Sequence, residues 1–210
     1  MFLKQNQKTS KMGLNNNQSA GVFLQVSKGK LVRQFSNPTE KSVVRVNKNG
    51  KTVHEEFYDS LTARLQDIKV KDSDFGKFWT LTFNDGQTNY FIDLNYSGGY
   101  AISFLKTLPN ADLTIDMTIV PKYTEEGDKK SSVIFINQNG KGLKHFWTRD
   151  NPKELPDLRK IKVKGKDTWD DSDRLDYLLD YVNQNILPKL GGKPSSKAVS
   201  TPDDDMDTPF

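Results

Sequence analysis

The chain has 210 residues and a mass of 23.9 kDa, which suits one medium domain with a real core and excludes a multidomain machine. Leu, Ile, Val and Phe make up about a quarter of it, above the range of intrinsic disorder; the absence of cysteine excludes disulfides, thiolate zinc and Cys nucleophiles, and two histidines leave little for a His-based metal cage. The net charge is +4, yet the last twenty residues carry Lys193 and Lys197 against Asp203, Asp204, Asp205 and Asp207, so the body is the more basic part and favours polyanions.

Residues 1–20 are dominated by Asn, Gln, Lys and Ser, which predicts a flexible arm. They lack the apolar core of a signal peptide, and no apolar run approaches the roughly 18 residues of a membrane span. The expectation is a cytoplasmic protein with no membrane partner. Val22–Val26 and Leu31–Phe35, separated by Ser27-Lys28-Gly29-Lys30, read as a hairpin. Val43–Val46 and Thr52–Tyr58 repeat the pattern around Asn47-Lys48-Asn49-Gly50-Lys51. Leu65–Lys71, Lys77–Phe83 and Asn89–Leu94 form a meander whose second turn is the strong signal Asp85-Gly86. Tyr100–Leu108 has apolar residues at about three-residue spacing before Pro109, which predicts a short helix. Leu113, Ile115, Met117 and Ile119 alternate with polar residues as a half-buried strand does. Ser132–Asn137 gives another strand, and Leu143–Thr148 reads as a sixth strand of the sheet that starts with the meander.

Residues 149–168 read as an extended connector rich in Pro and Lys. Asp171 then caps an amphipathic helix through Ile186, ended by Pro188 and Gly191. Residues 191–210 have the composition of a disordered linker and tail. The reading is therefore a mainly β domain over residues 21–190. Its central block, residues 64–137, runs three strands, a helix and two strands, the element order of an OB-fold five-stranded barrel. Extra N-terminal hairpins and a C-terminal helix decorate it.

Catalytic motifs are absent: His54 and His145 lie near no nucleophile elbow, and there is no phosphate-binding glycine loop. Asp72 with Asp74 reads as a turn, and Asp170, Asp171 and Asp173 as a helix start. The expectation is a protein without catalysis, metal or cofactor. Aromatic residues interleaved with cations point instead to single-stranded nucleic acid, whose bases stack on rings while Lys and Arg track phosphates. Strand parity turns Trp79, Leu81 and Phe83 inward, and places Phe78 and Phe91 on the outer face with Lys69 and Lys71. Trp79 and Tyr90, on inward parity, are further candidates because a one-residue register slip would exchange them with Phe78 and Phe91. Lys141, Lys144, His145, Phe146 and Trp147 form a second basic and aromatic cluster, and Arg45, Lys48 and Lys51 surround a hairpin tip.

The C-terminus ends Asp203-Asp204-Asp205-Met206-Asp207-Thr208-Pro209-Phe210. Such a peptide offers a ring for an apolar pocket and carboxylates for a basic rim. This tip, and the element order of residues 64–137, resemble the bacterial and bacteriophage single-stranded DNA-binding proteins, OB-folds with a linker and an acidic tip. The chain looks like a divergent phage-type member, and Met206-Asp207-Thr208 before Pro-Phe departs from the usual tip. The resemblance implies a protein that coats single-stranded DNA in replication, recombination and repair. It also implies that Asp203, Asp204, Asp205, Asp207, Pro209 and Phe210 recruit a polymerase, primase, helicase or recombinase. The rival readings are an RNA-binding OB protein and a non-catalytic scaffold or inhibitor.

Overall fold

Alternating apolar residues and tight turns build almost the whole structure from strands. The computed structural model describes residues 21–191 apart from Lys48, Lys164 and the Lys166 side chain. The expected arm at residues 1–20 and the linker and acidic tip beyond Gly191 lie outside the described residues. The main sheet contains β1 (Val22–Ser27), β2 (Lys30–Phe35), β3 (Val43–Val46), β4 (Thr52–Tyr58), β5 (Leu61–Ser73), β6 (Gly76–Asn84), β7 (Asn89–Asn95), β8 (Met117–Glu126), β9 (Lys129–Gln138) and β10 (Lys141–Gly142). Helix α1 (Gly99–Thr107) lies between β7 and β8. The order across the sheet is β10-β9-β8-β5-β6-β7-β1-β2-β4-β3.

Local chemistry explains the turns. Lys28 and Gly29 both take positive φ, 46° and 76°, as do Asn139 and Gly140, 51° and 72°. Consecutive left-handed residues are what a two-residue hairpin turn needs to match strand twist. The long strand β5 serves two neighbours. Leu61–Ala63 pair with β8, whereas the remainder pairs with β6 across an irregularity between Leu65 and Asp67. A bulge bends the strand and resets its parity; hence Ala63 and Leu65 are buried before it and Ile68 after it.

The expected five-stranded barrel does not close into a ring of hydrogen bonds. β7 bonds to β1 in parallel, Val22 to Gln25 lying opposite Tyr90 to Asp93, and the ladder ends open at β3 and β10. The β1–β2 hairpin instead bends over the core. A Cβ at Gly29 would stand 2.8 Å from the Tyr123 backbone nitrogen, and the Gly29 N–H donates to the Tyr100 hydroxyl at 2.8 Å. Leu24 and Leu31 from this hairpin join Ile68, Leu81, Phe83 and Ile92 in one core with Phe104 of α1 and Ile134 of β9. Ser103 on α1 fixes the helix to the sheet by accepting the Ile134 N–H at 2.8 Å.

Three sequence expectations need correction. The strand expected from Leu113 begins only at Met117. Asp112 accepts the Thr114 N–H at 2.8 Å, so its side chain turns the backbone there and the alternation at Leu113 and Ile115 belongs to a turn. Leu143–Thr148 is not a strand: pairing stops at β10 after the Leu143 N–H reaches the Ile136 carbonyl. The connector at residues 149–168 contains a separate antiparallel ribbon, β11 (Arg159–Val163) with β12 (Lys166–Asp170).

The C-terminal helix forms as expected and continues further. α2 (Ser172–Tyr181) passes through one π turn, Val182–Ile186, into a last turn, α3 (Leu187–Leu190), with Pro188 at its start. Gly191 at φ 72° supplies the left-handed stop. Asp170 rather than Asp171 receives the Ser172 N–H, at 3.0 Å. Leu175, Leu178, Leu179, Val182, Ile186 and Leu187 face inward.

Candidate nucleic-acid interface

Register decides which side chains share the outer face of β5, β6, β7 and β1. Lys71 lies opposite Phe78, Thr82 opposite Phe91, and Phe91 opposite Phe23. Because partners in register point to the same side of a sheet, Lys69, Lys71, Phe78, Phe91 and Phe23 belong to one face. The rings of Phe23 and Phe91 stack at 5.0 Å between centroids and 26° between planes. Phe23 is 67% exposed and Phe75, on the β5–β6 turn, is 90% exposed. Ser73 holds that turn by accepting the Phe75 N–H at 3.2 Å, beside Gly76 at φ 109°. Phe78 and Phe91 are half-buried. Together with Lys71, these four rings line an open cleft of about 630 Å³.

Charge in the cleft is mixed. Lys69 pairs with Asp67 at 2.6 Å, and Asp93 accepts the Thr80 hydroxyl at 2.5 Å. Asp72 and Asp93 also border the cleft. Lys71 is exposed at the Phe78 end. With Asp67 matched by Lys69 and with Asp72 and Asp93 at the border, the cleft is a stacking platform with one cationic point, Lys71, rather than a basic groove.

Farther along the same face a polar chain crosses β1, β2, β4 and β3. Gln34 donates to Glu55 at 3.0 Å, and Arg45 grips both Glu55 oxygens, Nε at 2.9 Å and Nη2 at 2.6 Å. Glu55 is buried. The Arg45 hydrogen bonds, reinforced by Gln34, hold its carboxyl below the ordinary glutamate range against the opposing effect of burial. Arg45 thus lies on the same side of the sheet as the cleft, with its charge matched to Glu55. Lys48 lies outside the described residues, and Lys51 is exposed at the tip.

Several sequence candidates fall elsewhere. Trp79 is 1% exposed; its indole stacks on Tyr96 at 5.1 Å and donates to the Tyr96 carbonyl at 3.1 Å. It packs the core because the predicted register holds. Tyr90 faces inward and donates to Asp85 at 2.8 Å, beside a second recess of about 360 Å³ lined by Leu24, Leu31, Arg33 and Tyr58. Trp147 is also 1% exposed. It meets Phe146, Tyr177 and Tyr181 edge to face at 4.9, 5.9 and 4.7 Å, while the Lys153 ammonium sits over the Phe146 ring. This second cluster seats the C-terminal helix, because β-strand pairing ends at Gly142 and the following aromatics turn under α2. Burial, with Lys106 nearby, lowers the pKa of His145. Lys141 and Lys144 are exposed, with Lys141 on β10 at the opposite end of the ladder from β3.

Phe23 and Phe75 were not among the sequence candidates. Phe23 was legible by parity, since Val22 and Leu24 flank it on the inner face of β1, whereas Phe75 sits in a turn where alternation gives no signal. Among the described residues there is no His, Asp or Glu group that could hold a metal and no helix long and apolar enough to cross a membrane. No family model, curated protein or solved structure matches the chain.

Proposed function

We propose that the protein binds single-stranded DNA on the outer face of β1, β5, β6 and β7, stacking bases on Phe23, Phe75, Phe78 and Phe91 while Lys71 and Lys69 meet phosphates. The observation that carries this reading is that four phenylalanine rings, Phe23 and Phe75 exposed and Phe78 and Phe91 half-buried, line one open cleft together with Lys71. Monomeric surfaces seldom leave large apolar groups clustered without a ligand, and rings accept any base because every base has a π face.

The topology lends support. Within the sheet, β9-β8-β5-β6-β7 is the strand order of an OB-fold, with α1 in the position of the OB helix. On this reading the β1–β2 hairpin occupies the gap where an OB barrel would close, and its parallel pairing with β7 widens the binding face by Phe23. Nucleic acid binding on the face of the middle strands is the common use of that fold. The physical mechanism needs no catalysis: lysines displace counterions, and stacking supplies the part of affinity that survives salt. Coating of exposed strands in replication, recombination and repair, with Asp203–Phe210 recruiting a polymerase, primase, helicase or recombinase, completes the proposal.

The test is an anisotropy titration of labelled oligo-dT of about 30 nucleotides, longer than the roughly 4–16 that one OB-type site covers. Matched oligo-U and a duplex of equal length run beside it. Saturable binding of oligo-dT at concentrations far below the duplex supports the proposal. Equal or tighter binding of oligo-U would assign RNA instead, and no binding of either strand at low salt would leave a surface for protein.

A further inference from the structure

The β11–β12 ribbon stands apart from the main sheet, and every residue of β11 is exposed. Two-stranded ribbons are marginally stable in isolation; this one is fastened at its base, where Arg159 reaches Asp170 at 3.2 Å and Asp173 of α2 at 3.0 Å. Residues 159–170 carry Arg159, Lys160, Lys162, Lys164 and Lys166 against Asp167 and Asp170. Lys160 lies opposite Trp169 in register, and Lys162 opposite Asp167, so Lys160, Lys162, Asp167 and Trp169 share one face, on which the Lys160 ammonium pairs with Asp167 at 2.6 Å. Trp169 is 64% exposed, whereas Trp79 and Trp147 are each 1% exposed.

We propose that the ribbon is a second single-strand contact, in which the Trp169 indole stacks a base and Lys162 on the same face is the phosphate partner. This rests on the single-strand reading of the main sheet and extends it to an element that reading does not use. The residue types are those such a contact requires, a large uncovered π face with cations beside it. In the sequence Lys164 and Lys166 flank Gly165, an excess of positive charge that suits a polyanion.

The three tryptophans make the test specific. Oligo-dT is titrated into the full chain with intrinsic emission and anisotropy read in parallel, for the wild type, Trp169→Phe, Trp169→Ala and Lys162→Glu, with a duplex of equal length as comparison. The expected result is saturable quenching in the wild type that Trp169→Phe abolishes, with affinity about tenfold weaker in Trp169→Ala and reduced in Lys162→Glu. Oligo-dT binding by anisotropy with unchanged emission, and unchanged affinity in both Trp169→Ala and Lys162→Glu, overturns the ribbon contact and leaves the cleft reading intact. Equal quenching by the duplex overturns the single-strand assignment of the ribbon. Absence of oligo-dT binding overturns both readings together.

Discussion

Phe23 and Phe91 meet ring to ring at 5.0 Å although they come from strands far apart in the chain, because β1 joins β7 in parallel with the two residues in register. Neither ring is enclosed in the core, and Phe23 is 67% exposed. The pair is therefore a surface feature made by long-range topology, which gives its removal a sharp signature.

Phe23→Ala and Phe91→Ala should each weaken oligo-dT binding by about 1–3 kcal/mol, the range for losing one stacked base. Phe23→Ala should leave thermal stability nearly unchanged, since its ring is largely in solvent. Anisotropy titration with a parallel melting curve checks both. Full affinity in the Phe23→Ala, Phe91→Ala double variant would remove these rings from the site.

Lys71→Ala addresses the electrostatic share. If its ammonium meets one phosphate, the slope of log K against log salt should become shallower by about 0.7. An unchanged slope with unchanged affinity would place the strand away from the Phe78 end of the cleft.

The Arg45–Glu55 pair predicts a specific acid sensitivity. The Arg45 and Gln34 hydrogen bonds hold the Glu55 carboxyl below its ordinary value of 4.5. A group whose folded value is depressed stabilises the fold above its unfolded value, and that contribution is lost as pH falls through the folded value. Urea midpoints measured between about pH 3 and 7 should therefore fall less steeply on the acid side in Glu55→Gln than in the wild type. Coincident pH profiles would show that the pair contributes nothing.

Trp147 and Trp79 should act on folding, not through contact with a strand. Trp147→Ala should cost about 3–5 kcal/mol by opening a cavity between Phe146, Tyr177 and Tyr181. Trp147→Phe should cost much less, because the buried indole nitrogen has no hydrogen-bond partner to lose. Denaturant unfolding gives the ranking, and amide exchange at Leu178 and Leu179 should report loosening of the helix in Trp147→Ala.

The hairpin lid over the core has its own test. Tyr100→Phe removes the hydroxyl that accepts the Gly29 N–H and should cost about 1 kcal/mol. Gly29→Ala should cost more, since it combines φ 76° with a 2.8 Å approach to the Tyr123 backbone. A melting temperature unchanged in Gly29→Ala would mean that the tip is not seated on β8.

Much of the fold was legible because most strands have one wet face. Ile68, Leu81, Ile92 and Leu94 announced the inner side, and the same parity placed Lys69, Lys71, Phe78 and Phe91 outward, as the register has them. What escaped were relations that no local pattern encodes. The parallel β1–β7 pairing is one, and with it went the open ladder and Phe23 as part of the cleft. Phe146 and Trp147 mix with lysines exactly as a binding site would, and only the docking of Tyr177 and Tyr181 shows them as packing. The β11–β12 ribbon was hidden because exposed strands lose the alternation that marks buried ones.

The position of β1 in the middle of the ladder also dictates an order of assembly. Val22–Gln25 are synthesised before their parallel partners Tyr90–Asp93, which follow on the order of several seconds later at ribosomal speeds. A sheet of β1, β2, β4 and β3 alone would leave Leu24 and Leu31 without the cover of β7 and α1. Contacts of high sequence separation are slow to form, so the pairing of β7 with β1 is expected among the slow steps of folding. A nascent chain arrested before Asn89 would present the ribosome-associated chaperones with an uncovered edge.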